Sequence, residues 1–185
     1  DLVLVVCGLD HDYNPRRIER YLLLCAGSGA QALVLLTKAD ACPEVEDRVR
    51  ELEQRIAGQA RVIALNARDL ASRETLAPYL GIGTTAVLVG SSGAGKSTLT
   101  NSLLGIERMR TGEVRTHDSR GRHTTTHRAL IQLPGGACLI DTPGMREIKL
   151  ADRPELDPAL VGRIGELAQS CRFSDCRHGR EPGCA

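Results

Sequence analysis

Eight consecutive residues, Gly90-Ser91-Ser92-Gly93-Ala94-Gly95-Lys96-Ser97, follow the pattern G-x4-G-K-[ST]. This pattern suits a chain of phosphates. The glycines let backbone N–H groups wrap the oxygens, and a helix starting at Lys96 adds the partial positive charge of its N-terminus. Lys96 is expected to reach the β- and γ-phosphates, and the Ser97 hydroxyl to ligate Mg²⁺. Ser92 through Ser97, with Thr98 beside them, are therefore the expected phosphate contacts. A second group, Asp141-Thr142-Pro143-Gly144, offers a carboxylate for Mg²⁺ and the Gly144 N–H for a γ-phosphate. A third, Thr37-Lys38-Ala39-Asp40, offers a carboxylate that can accept from guanine N1–H and N2–H. Adenine lacks that donor pair, so a buried carboxylate at Asp40 rejects it. The Lys38 stem is expected to lie over the base. Asn66-Ala67 is placed to offer a backbone N–H to guanine O6. At the far end, Cys171-x4-Cys176-x-His178-x5-Cys184 supplies three thiolates and one imidazole. Four N/S ligands on short spacers suit tetrahedral structural Zn²⁺ with no open position.

Positioning these groups requires a sheet. The apolar runs Leu2–Cys7, Ala32–Leu36, Val62–Leu65 and Ala86–Val89 read as strands buried on both faces. Between them lie helical patterns. Asn14 caps a helix with Pro15 at its first position. Pro43–Ala57 is acidic early, apolar at Val45, Val49, Leu52 and Ile56, and followed by Gly58. Leu70–Leu80 reads as a short helix and Lys96–Leu104 as another. Ala129–Leu133 and Ala137–Ile140 flank Pro134-Gly135-Gly136 and read as a hairpin at an antiparallel edge. Leu156–Ala168 reads as a helix leading into the Cys-rich tail. The expected fold is thus α/β: a mainly parallel sheet with helices on both faces over residues 1–150, then a small helical zinc-binding module over 151–185.

The order of the motifs is unusual. The base motifs (37–40 and 65–67) precede the phosphate loop, whereas ordinary small GTPases place the phosphate loop first. The sequence reads as a circular permutation, which is feasible because domain termini commonly lie close together.

Composition sets bounds. The 185 residues carry 24 Lys plus Arg against 23 Asp plus Glu, a net charge of +1, which excludes a uniformly basic nucleic-acid binder. Four aromatic residues, Tyr13, Tyr21, Tyr79 and Phe173, exclude an aromatic base-stacking sheet. No apolar run reaches the ~18 residues of a membrane span, and no membrane partner is expected. Cys7, Cys25, Cys42 and Cys138 are scattered and read as small core hydrophobes. Clustering of the others suggests a reducing compartment. His11, His117 and His127 read as surface or loop residues. The near-zero charge hides a contrast: residues 107–128 hold six Arg, three His and three acids. That segment, with no apolar period, reads as a switch loop that orders with nucleotide and presents charge to RNA phosphates. Within Thr124-Thr125-Thr126, Thr125 is the first candidate for Mg²⁺ and γ-phosphate, and Thr124 the second.

With these residues in hand, the chain resembles the bacterial ribosome-small-subunit-dependent GTPase A family. The resemblance rests on TKAD, GSSGAGKS, GRHTTT and DTPGMRE in that order, and on the terminal Cys/His pattern. It implies GTP hydrolysis stimulated by the small (30S) ribosomal subunit, in late assembly of that subunit, with its rRNA as partner. It also implies a cytoplasmic, monomeric protein with Mg²⁺–GTP and one structural Zn²⁺. Family members carry an N-terminal OB-fold domain, so the chain, which opens on Asp1 inside an apolar run, reads as the core of a longer protein. Met145 stands where many GTPases place a water-orienting Gln. The resemblance implies His123, just before the Thr triplet, as its substitute. Thr37 replaces the family's more general Asn, which removes an amide that braces the pocket, and Asn66 replaces the commoner Ser. Two other functions fit the motifs: an RNA-binding module whose affinity nucleotide tunes, and a permuted GTPase of the large subunit. An ATPase is disfavoured by Asp40.

Overall fold

The computed structural model describes residues 1–106, 129–142, 170–172 and 184. The chain divides into two compact units, Asp1–Lys149 and Leu150–Ala185. In the first, β1 (Leu2–Gly8) leads to α1 (Pro15–Ala26), β2 (Gln31–Thr37), α2 (Val45–Ile56), β3 (Arg61–Ala64), α3 (Ala71–Leu76), β4 (Thr85–Val89), α4 (Lys96–Leu104), β5 (Ala129–Gln132) and β6 (Cys138–Asp141).

The six strands form one sheet in the order β3-β2-β1-β4-β6-β5. All neighbours are parallel except β5, which runs antiparallel to β6 at the edge. Both faces are covered, which explains the unbroken apolar runs. Along β1, Leu2, Leu4 and Val6 join a core with Leu76 of α3 and Leu99 and Leu103 of α4. The alternate residues Val3, Val5 and Cys7 join a second core with Ile18 and Leu22 of α1 and Leu52 and Ile56 of α2. Fully burying one such Leu or Ile contributes ~1.5–3 kcal/mol, so these alternating sets fix the register of the central strand.

The strand and helix expectations hold to within a residue or two, and the exceptions have backbone causes. α1 begins as expected: Asn14 Oδ1 accepts from the Arg17 N–H, and Pro15 occupies the first turn. α2 starts at Val45 rather than Pro43 and ends with Ala57 itself in the left-handed region (φ 47°), ahead of Gly58. The helix expected over 70–80 is α-helical only to Leu76. It continues as a 3-10 turn, Ala77–Tyr79, because Pro78 has no N–H to return to the preceding turn. The expected helix 156–168 lies outside the described residues. Cys7 and Cys25 are buried, and burial pushes both thiols up. Cys42 packs against the second core but is only half-buried, and Cys138, also half-buried, departs from the expected core position. Each sits at an end of secondary structure, Cys42 just past a 3-10 turn and Cys138 as the first residue of β6. Among the described residues, no helix is long and apolar enough to cross a membrane.

Candidate functional site

The carboxyl ends of β3, β2, β1, β4 and β6 are neighbours in the sheet, and every described nucleotide motif sits there. In open α/β sheets, ligands bind outside this edge.

The phosphate loop leaves β4 at Gly90. A Cβ on Gly90 would stand 2.2 Å from the Val6 carbonyl oxygen, and its φ is 151°, so only glycine lets the chain turn this closely over β1. Gly95, at φ 94°, caps α4, and the Leu99 N–H donates to its carbonyl at 2.8 Å. Lys96 therefore begins the helix, as the motif requires. Its side chain is 6% exposed, and Nζ donates to the carbonyls of Gly90 (3.0 Å) and Ser91 (2.8 Å). Burial pulls the ammonium down to about 8, while the charges of Asp141 and Asp12 pull it back up. Asp141, at the end of β6, is fully buried, and it pairs across the sheet with Leu88 of β4. The next residue, Thr142, ties the same strand end to β4 by donating from Oγ1 to the Leu88 carbonyl at 2.6 Å. Ser92, Ser97 and Thr98 are half-buried, Ala94 is buried and Gly93 is exposed.

The base motif meets this loop directly. Thr37 is fully buried, and its Oγ1 donates to the Ala94 carbonyl at 2.6 Å, 57 residues away. The Asn amide is absent, as expected, and a hydroxyl contact stands in its place. A hydroxyl is short, but Gly95 approaches so closely that a Cβ there would lie 3.3 Å from Thr37 Oγ1, and the reach suffices. Lys38 takes the left-handed region (φ 61°), and its Nζ donates to Asp10 Oδ2 at 2.5 Å. Burial raises the Asp10 carboxyl, but the Lys38 hydrogen bond and charge outweigh it and hold the group below its usual range. Asp40 follows in the 3-10 turn Ala39–Ala41 and is exposed, not buried as the discrimination argument supposed, because the turn lies past the end of β2. The neighbouring strand end is fastened to it: the Leu65 N–H donates to Leu36 O at 2.9 Å and the Ala39 N–H to Leu65 O at 3.3 Å. Asn66 Oδ1 accepts from the Arg68 N–H at 2.9 Å, and Ser72 Oγ donates to the Asn66 carbonyl at 2.5 Å. Asn66 thus turns the loop, and Ala67 is buried beside it.

The structure therefore brings together Thr37, Lys38, Asp40, Asn66, Ala67, the loop Ser92–Thr98 and Asp141. His123, Thr124, Thr125 and Gly144 lie outside the described residues, as do Cys176 and His178. Of the expected thiolates, Cys171 and Cys184 are described, and both are half-buried. Among the described residues, no three His, Cys, Asp or Glu side chains cluster as a metal site. Sequence reading missed Asp10, Asp12 and Arg17. The one available signal was two acids directly after a buried strand whose carboxyl end faces the motifs.

The model of the RsgA GTPase family matches residues 1–151. A protein of Xanthomonas oryzae pv. oryzae named small ribosomal subunit biogenesis GTPase RsgA is 62% identical over all 185 residues. Its namesake in Xanthomonas euvesicatoria pv. vesicatoria is 60% identical over the same span. The chain spans about half the length of these curated relatives, 51% of each. Among solved structures, YjeQ from Thermotoga maritima matches all of this chain and 62% of its own, with 29% identity and a TM-score of 0.64. YloQ, described as a circularly permuted GTPase, matches all of this chain and 58% of its own, with 26% identity and a TM-score of 0.59. The order read from the motifs, with the base group ahead of the phosphate loop on a mainly parallel sheet, thus has its counterpart in known proteins, and the chain belongs to the RsgA GTPase family.

Proposed function

We propose that this chain is the nucleotide-binding part of a GTP hydrolase acting in biogenesis of the small (30S) ribosomal subunit. The observation that carries the reading is the Thr37–Ala94 hydrogen bond of 2.6 Å, which sets a guanine-type base motif against a G-x4-G-K-S phosphate loop. Family membership and the names of the relatives support the same reading.

In this mechanism the chain mostly positions. Amides of Ser92–Thr98 and the N-terminus of α4 hold the phosphates. Lys96 exchanges its two carbonyl partners for the β- and γ-phosphates. Ser97 and the buried Asp141 carboxylate present hard oxygen donors, the type Mg²⁺ prefers, with Thr125, or Thr124 in its place, completing the set. Bound Mg²⁺ neutralises charge between the phosphates. Asp40, exposed past the end of β2, accepts from guanine N1–H and N2–H, so the base itself covers it. The Ala67 N–H serves guanine O6. Gly144 contacts the γ-phosphate, and His123 orients the attacking water. Cys171, Cys176, His178 and Cys184 hold one structural Zn²⁺ in residues 151–185, which follow in sequence a GTPase domain over 1–150. The protein works as a monomer in the cytoplasm, and its basic segment 107–128 meets rRNA.

The decisive experiment is GTP hydrolysis with and without purified 30S subunits. Slow turnover alone, strong stimulation by 30S, and loss of that stimulation in His123→Ala with GTP binding retained are expected. Equal turnover with and without 30S would favour a nucleotide-tuned RNA-binding module, and preference for ATP over GTP would refute the base assignment.

A further inference from the structure

The loop joining β1 to α1 holds two carboxylates, and each reaches a different nucleotide motif. Asp10 grips Lys38 of the base motif at 2.5 Å. Asp12 accepts a short hydrogen bond from Ser91 Oγ in the phosphate loop, 79 residues away. Ser91 is 2% exposed, so its hydroxyl has no water to fall back on. Asp12 is itself anchored. Arg17 Nη1 donates to both Asp12 carboxylate oxygens at 3.1 Å, and Arg17 Nη2 donates to the Asp12 carbonyl at 2.8 Å. The Arg17 side chain is mostly buried, which favours a fixed fork over a mobile surface pair. The chain of contacts continues inward, because the Ser91 carbonyl accepts from Lys96 Nζ at 2.8 Å. One connected path thus runs from Arg17 through Asp12 and Ser91 to the lysine that meets the phosphates.

We infer that Asp12 is a positioning residue for phosphate binding: held by Arg17, it fixes the phosphate loop through the Ser91 hydroxyl. This deepens the proposed function and rests on it. Asp12 does not touch the nucleotide. Its carboxylate orients Ser91, and Ser91 sets the carbonyl from which Lys96 is released to the phosphates. Asp12 therefore acts on the phosphate end of the ligand, while its neighbour Asp10 acts on the base end through Lys38.

The test is competition binding of GDP, GMP and ADP to the purified protein and to Asp12→Ala, Ser91→Ala, the double variant and Asp12→Asn. Asp12→Ala and Ser91→Ala are each expected to weaken GDP about tenfold and GMP much less, so that the preference for the second phosphate shrinks. The double variant is expected to match the weaker single variant, because both changes break one contact. Asp12→Asn keeps one acceptor oxygen, which Ser91 and one Arg17 donor can share, but loses the second oxygen of the Arg17 fork, so it should recover only part of the affinity. Equal losses for GMP and GDP would indicate a merely structural role and overturn the inference. So would multiplying single effects, or wild-type GDP affinity in both single variants. If the unmodified protein binds GDP no better than ADP, the guanine-nucleotide reading fails first. If it is selective and the variants are unchanged, only the role of Asp12 fails.

Discussion

Thr37→Val gives the sharpest test of how the site is assembled. Valine puts a methyl group in place of the hydroxyl, which removes the 2.6 Å hydrogen bond to the Ala94 carbonyl and forces the two groups apart. Thr37 is fully buried and Ala94 is 1% exposed, so water cannot take over as donor. Leaving a buried acceptor unsatisfied costs ~1–3 kcal/mol. For a domain of this size, that lowers the melting temperature by roughly 2–4 °C per kcal/mol. Part of the cost reaches binding. The phosphate loop loses its tether to the base motif, and re-ordering even one of its residues on binding costs ~1–2 kcal/mol, or about five- to thirtyfold in affinity. Titration with a fluorescent GDP analogue, beside thermal melts with and without GDP, reads both quantities. Thr37→Ser is the control: it keeps the hydroxyl and loses a methyl group, so its affinity should stay near wild type. Wild-type GDP affinity in Thr37→Val would refute the claim that this hydroxyl couples the motifs. Equal losses in the Val and Ser variants would assign the effect to packing instead.

Three further outcomes are expected. Lys96 is depressed to about 8 in the free protein, and phosphates restore it toward the ordinary ~10.4. GDP binding should therefore take up about half a proton at pH 8 and weaken as pH rises through that value; calorimetry in buffers of different ionisation enthalpy checks it. The same depression means that burying the charged ammonium costs stability below pH 8, and this penalty is relieved as pH rises from about 8 to the ordinary ~10.4. Ala57 holds a left-handed conformation at the end of α2, so Ala57→Gly should raise stability by ~1 kcal/mol in chemical denaturation, and a lower midpoint would count against strain at this cap. Metal analysis should find one zinc per chain, and Cys184→Ser should lose it; a chain free of zinc after purification without chelators would exclude the four-ligand site.

The sequence reveals most where a residue's neighbours are local or its burial is complete. β1, β2 and β4 are legible because both faces of a covered parallel sheet demand apolar residues. The helix start at Lys96 is legible because the loop chemistry needs it. Where backbone conformation decides, legibility ends. Nothing in the composition of 43–58 says that Ala57 rather than Gly58 makes the first left-handed turn, and nothing in that of 70–80 says that Pro78 converts the helix to a 3-10 turn instead of breaking it. Contacts across strands are the least visible. Thr37 looks like a loss against Asn until Ala94 is seen 2.6 Å away, and Asp12 looks like loop polarity until Ser91 is found against it.

Those cross-strand contacts also explain why the permuted order is harmless. β1 comes first among these strands yet lies at the centre of the sheet, between β2 and β4. The loops that follow β2, β1 and β4 thus stand side by side, although they come from residues near 38, 10 and 91. Thr37 to Ala94, Asp12 to Ser91 and Thr142 to Leu88 each span more than fifty residues of chain and only one hydrogen bond of space. What the site requires is adjacency of strand ends, and adjacency depends on pairing, not on the position of the termini. A ligand that touches all these loops stabilises every pairing beneath them, by an amount set by its concentration relative to its dissociation constant. On the proposed function, nucleotide affinity and integrity of the central strands therefore rise and fall together. A variant that loosens β1, such as one that cuts back Val5 or Leu4, should lose GDP affinity although it touches no motif.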